Sequence, residues 1–172
     1  LRGQAQVTIA NSVLAGTAVA GQASLRSVDN DQADATLTLQ VAGNSLKAQG
    51  RFATARASSP GNTAGTGLGS TDHWDVTLDA PTLSTFAPLW RLVRPTGSDS
   101  TLAGTLAASA SVNGRWPELT AQGDLSGSDL RIGATTVQQA QARWKLGTAD
   151  GAPIELDASA SHLRLIGSTA TG

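Results

Sequence analysis

The chain has 172 residues, the size of one ordinary domain, and its 12 Lys and Arg against 13 Asp and Glu leave a net charge of −1. Leu, Ile, Val and Phe make up only 35 residues while Ala alone accounts for 29, so a folded chain with a thin core is expected rather than a thick globule. There is no cationic excess to neutralise phosphates, no apolar run near the roughly 18 residues of a membrane-crossing helix, and no Cys for disulfides or thiolate chemistry, so nucleic-acid binding is not expected.

Period-2 alternation dominates from the N-terminus onward. Val7 and Ile9 share a phase. From Val13 to Leu25 one parity holds for 13 residues, which reads as a single bent strand of roughly 40 Å. Small residues at its centre leave room for curvature or for something to approach the backbone. Asp29-Asn30-Asp31 reads as a turn. Next, Leu37, Leu39 and Val41 face one way while Thr36, Thr38 and Gln40 face the other. Ala42-Gly43-Asn44 reads as a hairpin connection into Leu46, Ala48, Gly50 and Phe52. Residues 57–72, rich in Gly, Ser and Thr, read as a long mobile surface loop.

Trp74, Val76 and Leu78 restart the alternation. Residues 81–94 break it: Leu83, Phe86, Trp90 and Val93 recur at spacings of 3, 4 and 3, a helical stripe opened by Pro81 and interrupted by Pro88. A second long strand is expected over Leu102–Val112, closed by a turn at Asn113-Gly114. Leu119, Ala121, Gly123 and Leu125 follow, then Leu130 and Ile132, then Ala142, Trp144 and Leu146. After a turn at 147–151 come Ile154, Leu156 and Ala158, and finally Leu163 and Leu165. Strands with one apolar and one wet face belong to antiparallel sheets; parallel strands buried on both faces read as unbroken apolar runs.

Candidate chemistry is sparse. His73 lies between Asp72 and Asp75, but no second His is near and it leads directly into a strand, so it reads as strand-end decoration; His162 reads likewise. Asp29, Asp31 and Asp34 lack the Gly and the closing Glu of a calcium loop. Gly65, Gly67 and Gly69 lack the strand–loop–helix setting of a phosphate cradle. No Gly-x-Ser-x-Gly elbow is present. No catalytic residue, metal site or cofactor is expected, and the apolar face itself is the one candidate site.

Leu102-Ala103-Gly104-Thr105-Leu106 is followed by Asn113-Gly114-Arg115-Trp116-Pro117-Glu118-Leu119, by Ala121-Gln122-Gly123-Asp124-Leu125 and by Leu130-Arg131-Ile132-Gly133. This phrasing resembles the TamB family, the inner-membrane subunits of the bacterial translocation and assembly module, within the AsmA-like, repeating β-groove superfamily. Leu78-Asp79-Ala80-Pro81 with Leu83, Phe86-Ala87-Pro88-Leu89, and His162-Leu163-Arg164-Leu165 fit the same style. The resemblance covers roughly residues 73–168.

The resemblance implies a curled, taco-like sheet with an apolar interior, in the periplasm of a Gram-negative bacterium. The parent protein would be anchored in the inner membrane and would reach an outer-membrane barrel, TamA. It also implies a role in outer-membrane protein and autotransporter assembly and in phospholipid movement, with lipid acyl chains or unfolded outer-membrane protein strands as guests. The chain opens at Leu1 without a leader-like stretch and reads as an internal piece of such a protein.

The resulting expectation is one β-groove segment over residues 1–172: all-β, mainly antiparallel, open, with one short helix near 81–94. The groove lining is expected to comprise Val7, Ile9, Leu37, Leu39, Val41, Leu46, Phe52, Trp74, Val76, Leu78, Leu119, Leu125, Leu130, Ile132, Trp144, Leu146, Ile154, Leu156, Leu163 and Leu165. The alternative is a β-solenoid passenger of a secreted adhesin, which requires parallel strands and a constant repeat length. An enzyme is the most distant reading, for want of a catalytic constellation.

Overall fold

A computed structural model of the protein describes residues 3–28, 32–53, 72–89, 101–115, 118–149, 151–152 and 154–165. The sequence forms ten strands: β1 (Gln4–Leu14), β2 (Thr17–Ser27), β3 (Gln32–Val41), β4 (Asn44–Ala53), β5 (His73–Ala80), β6 (Leu102–Arg115), β7 (Glu118–Ile132), β8 (Thr135–Gly147), β9 (Ile154–Ser161) and β10 (Arg164–Leu165). They build one curled, open sheet in sequence order from β1 to β8, and β9 and β10 share the outer edge of β8. Every described pairing is antiparallel. The fold is thus the all-β, antiparallel, open sheet that the alternation predicts.

The core is correspondingly thin. Among the described residues the buried hydrophobics are Ala33, Val41, Ala80, Leu83 and Ala121. One layer of sheet leaves both faces in contact with solvent.

Two turn assignments differ from the sequence reading. Val13–Leu25 is a hairpin rather than one strand. Ala15 (φ 49°) and Gly16 (φ 78°) reverse the chain between β1 and β2, the positive pair that a two-residue type I′ loop demands. Such a loop pairs Leu14 with Thr17 and Val13 with Ala18, so residues of equal parity on its two arms fall on opposite faces. A register shift between Ile9 and Ser12 then returns Val7 and Ile9 to the apolar face.

At the other site, Asn113-Gly114 is not a turn. β6 runs on through Arg115, which pairs with Glu118, so the chain reverses between these two residues and not at Asn113-Gly114. Gly114 (φ 90°) lies within the strand, and its N–H donates to the carbonyl of Asp72.

Ala42 (φ 47°) and Gly43 (φ 86°) form the expected β3–β4 hairpin. The expected turn at 29–31 and loop residues 57–71 lie outside the described residues, as does the helix beyond residue 89. The described part of that helix is a 3₁₀ turn, Leu83–Phe86, continued as helix over residues 87–89. It packs against β6 and is clamped by buried Asn44. The Asn44 amide nitrogen donates toward Thr82 O (3.2 Å) and Thr85 Oγ1 (2.7 Å), and its Oδ1 accepts from Thr82 N (3.1 Å).

Candidate functional site

Register turns the apolar phase into continuous rows. One row runs Ile9, Gly21, Leu39, Leu46, Leu78, Ala108, Leu125, Ala142 and Ala158 across nine strands. The next runs Val7, Ala23, Leu37, Ala48, Val76, Ala110, Gly123, Trp144 and Leu156. A third runs Ala5, Leu25, Ala35, Gly50, Trp74, Val112, Ala121, Leu146 and Ile154. Ladder partners point to the same face, so no charged residue interrupts these three rows.

Thirteen of the expected lining residues fall in the three rows. Val41 and Phe52 share the parity of Leu39 and Gly50 on their strands, and Leu119 that of Ala121. Leu130 and Ile132 have the opposite parity to Leu125, and the structure shows how they can still join its face. Asp129 takes a left-handed conformation (φ 50°) at a register shift against β6, and the Leu130 side chain comes to lie over Gly127. Leu163 lies between β9 and β10, exposed, and the backbone of Leu165 pairs with Thr135. The expectation omitted Leu25 and Val112, which stand in the third row, although their parity placed them there.

Large side chains cover glycines on the neighbouring strand instead of meeting a second layer. A Cβ at Gly50 would fall within the Trp74 indole, and one at Gly123 would lie 2.7 Å from Trp144. Phe52 stacks on Trp74 at 5.9 Å between centroids with 15° between planes. Aromatic rings laid over strand glycines keep the face continuous where a methyl would push them off. Cover fails at the lateral ends: Val7 is 62% exposed, Ile154 77% and Leu156 72%.

The opposite face carries polar and charged rows. Arg51 pairs with Asp34 through two bonds of 2.7 and 3.2 Å, and Arg143 Nε lies 3.0 Å from Asp124. The hydrogen bond from Arg51 holds Asp34 below the ordinary carboxylate range, and a carboxylate so engaged is not a free calcium ligand. His73 lies 2.6 Å from Asn113 Oδ1 and 3.0 Å from Asp75 Oδ2. The Asn113 oxygen first, and the Asp75 carboxylate next, favour the imidazolium and raise the His73 pKa. Ser111, donating to Asp75 at 3.0 Å, heads the causes that lower the Asp75 pKa. Among the described residues no three His, Asp or Glu side chains converge as a metal site.

A recess of about 1050 Å³ is lined by Asp75, Ser111, Asp124 and Lys145 and also by Val76, Trp144 and Leu156. No family model, curated protein or solved structure matches the chain.

Proposed function

We propose that this chain is a periplasmic β-groove segment of a TamB-like protein that shields apolar guests between the inner and outer membranes. The guests are phospholipid acyl chains or unfolded strands of outer-membrane proteins, and the parent protein hands them toward its outer-membrane barrel partner, TamA. The observation that carries the reading is the set of three uninterrupted apolar rows crossing nine strands with no second layer of described residues over them. An apolar face of that extent on a water-exposed protein marks a binding surface. Apolar contact is non-directional, so it suits a guest that slides, with no polar anchor to stop it. The antiparallel meander counts against the adhesin alternative, since a solenoid coil needs parallel strands.

The test places Asp at Leu39, Leu125 or Leu156 in the full-length protein and follows outer-membrane integrity and autotransporter display separately. A charge on the face makes an apolar guest's path polar. Loss of either activity in well-folded variants supports the groove; wild-type levels of both make the segment a passive spacer.

A further inference from the structure

At the end of the sheet formed by the C-terminal parts of β7 and β10, Ala103, Arg131, Thr136 and Arg164 are successive rungs of one row. The two arginines therefore flank Thr136 on the same face, about 10 Å apart between Cα atoms. That span is less than twice the reach of an arginine side chain. Elsewhere on the sheet cross-strand arginines meet carboxylates, as Arg51 meets Asp34 and Arg143 meets Asp124. Neither Arg131 nor Arg164 makes an ion pair or a side-chain hydrogen bond to any described residue.

Asp129 (φ 50°), within β7, and His162 (φ 52°), in the connection between β9 and β10, are left-handed on either side of β8. Backbone irregularities of this kind re-aim side chains at a sheet edge. Here they border a recess of about 300 Å³ lined by Asp129, Arg131, Thr136, Gln138, His162 and Arg164 among others. We propose that this recess binds a phosphate group, with the Arg131 and Arg164 guanidinium forks donating from the two sides and the Thr136 hydroxyl available between them. Planar guanidinium matches phosphate bidentately, and an anion between the two cations relieves their mutual repulsion. Asp129 is the opposing charge in the recess and sets its affinity below what two arginines alone would give. The site does not depend on the apolar face.

Binding to the 172-residue chain is followed by NMR, through the arginine side-chain N–H signals and the Thr136 amide at low ionic strength. The probes are inorganic phosphate, glycerophosphoglycerol and monomeric dihexanoyl phosphatidylglycerol. Saturable shifts are expected. Arg131→Gln or Arg164→Gln should weaken binding about tenfold or more, Asp129→Asn should tighten it, and Arg26→Gln, on the exposed side of β2, should leave it unchanged. Inorganic phosphate binding as well as the diesters identifies a free phosphate site; much tighter binding of the diesters identifies a lipid headgroup site. Shifts that never saturate, or equal weakening by Arg26→Gln, overturn the proposal.

Discussion

Gly50→Ala in β4 is the perturbation that most directly probes how this one-layer sheet is held together. On intrinsic grounds Ala should stabilise a strand interior relative to Gly by about 0.5–1 kcal/mol. The structure reverses that sign. The new methyl would enter the Trp74 indole and lie 2.7 Å from the backbone carbonyl of His73. A rigid ring cannot yield as a flexible chain end does, so overpacking of about 1–3 kcal/mol applies, and the net cost should be about 1–2 kcal/mol. Trp74→Ala alone removes a half-buried indole and its stack on Phe52. A fully buried aromatic truncation costs about 3–5 kcal/mol, and half that burial plus the ring pair gives about 2–3 kcal/mol. In the double variant most of the steric penalty disappears while the His73 carbonyl contact remains. The cycle should therefore show roughly 1 kcal/mol of coupling. Urea unfolding monitored by circular dichroism measures all four proteins. Additivity within about 0.5 kcal/mol, or a Gly50→Ala protein more stable than wild type, would refute the account of rings laid over glycines.

Other predictions follow from named contacts. Asn44→Ala strips the clamp on the 3₁₀ turn and leaves Thr82 N–H without its side-chain acceptor; a loss of about 2–3 kcal/mol is expected in thermal or urea melts. Leu125→Asp in mid-sheet should destabilise by about 2 kcal/mol or more, whereas Leu156→Asp, at 72% exposure, should change stability by less than about 0.5 kcal/mol and is the cleaner functional variant. The raised pKa of His73 makes its contribution full below the unfolded value near 6.5 and lost as pH climbs through the folded value. The lowered pKa values of Asp34 and Asp75 make theirs full above the unfolded value near 3.8 and lost as pH falls through the folded ones. Stability should therefore peak between these limits, with a shallow alkaline limb that His73→Gln flattens; an unchanged alkaline limb in that variant rules out the His73–Asn113–Asp75 cluster as its source.

Much of the sheet is legible in the sequence because side-chain parity is a one-dimensional signal. Leu37, Leu39 and Val41 reveal their shared face without any knowledge of their neighbours. Connections are less legible, because parity is blind to reversal. Val13 and Val19 have equal parity, yet the two-residue loop at Ala15-Gly16 places them on opposite faces, and nothing in that stretch except the turn itself distinguishes this from one long strand. Asn113-Gly114 carries a strong turn signal, but the pairing of Asn113 with His73 and the bond from Gly114 to Asp72 keep it in strand and move the reversal to between Arg115 and Glu118. The parity change between Leu125 and Leu130 was visible in the sequence, but its cause, a left-handed Asp129, was not. The row of Arg131, Thr136 and Arg164 could not be seen at all, since it exists only through the register of three strands distant in sequence.

The central claim is that the apolar face holds the guest, and site-specific photocrosslinking in the full-length protein in cells tests it most directly. A benzophenone amino acid is placed in turn at Leu39 and Leu125 on the apolar rows and at Thr38 and Ser126 on the opposite face, and adducts are identified by mass spectrometry. The account predicts adducts to acyl lipid or outer-membrane protein from Leu39 and Leu125, and little from Thr38 and Ser126. Equal labelling from both faces, or labelling confined to Thr38 and Ser126, would contradict it.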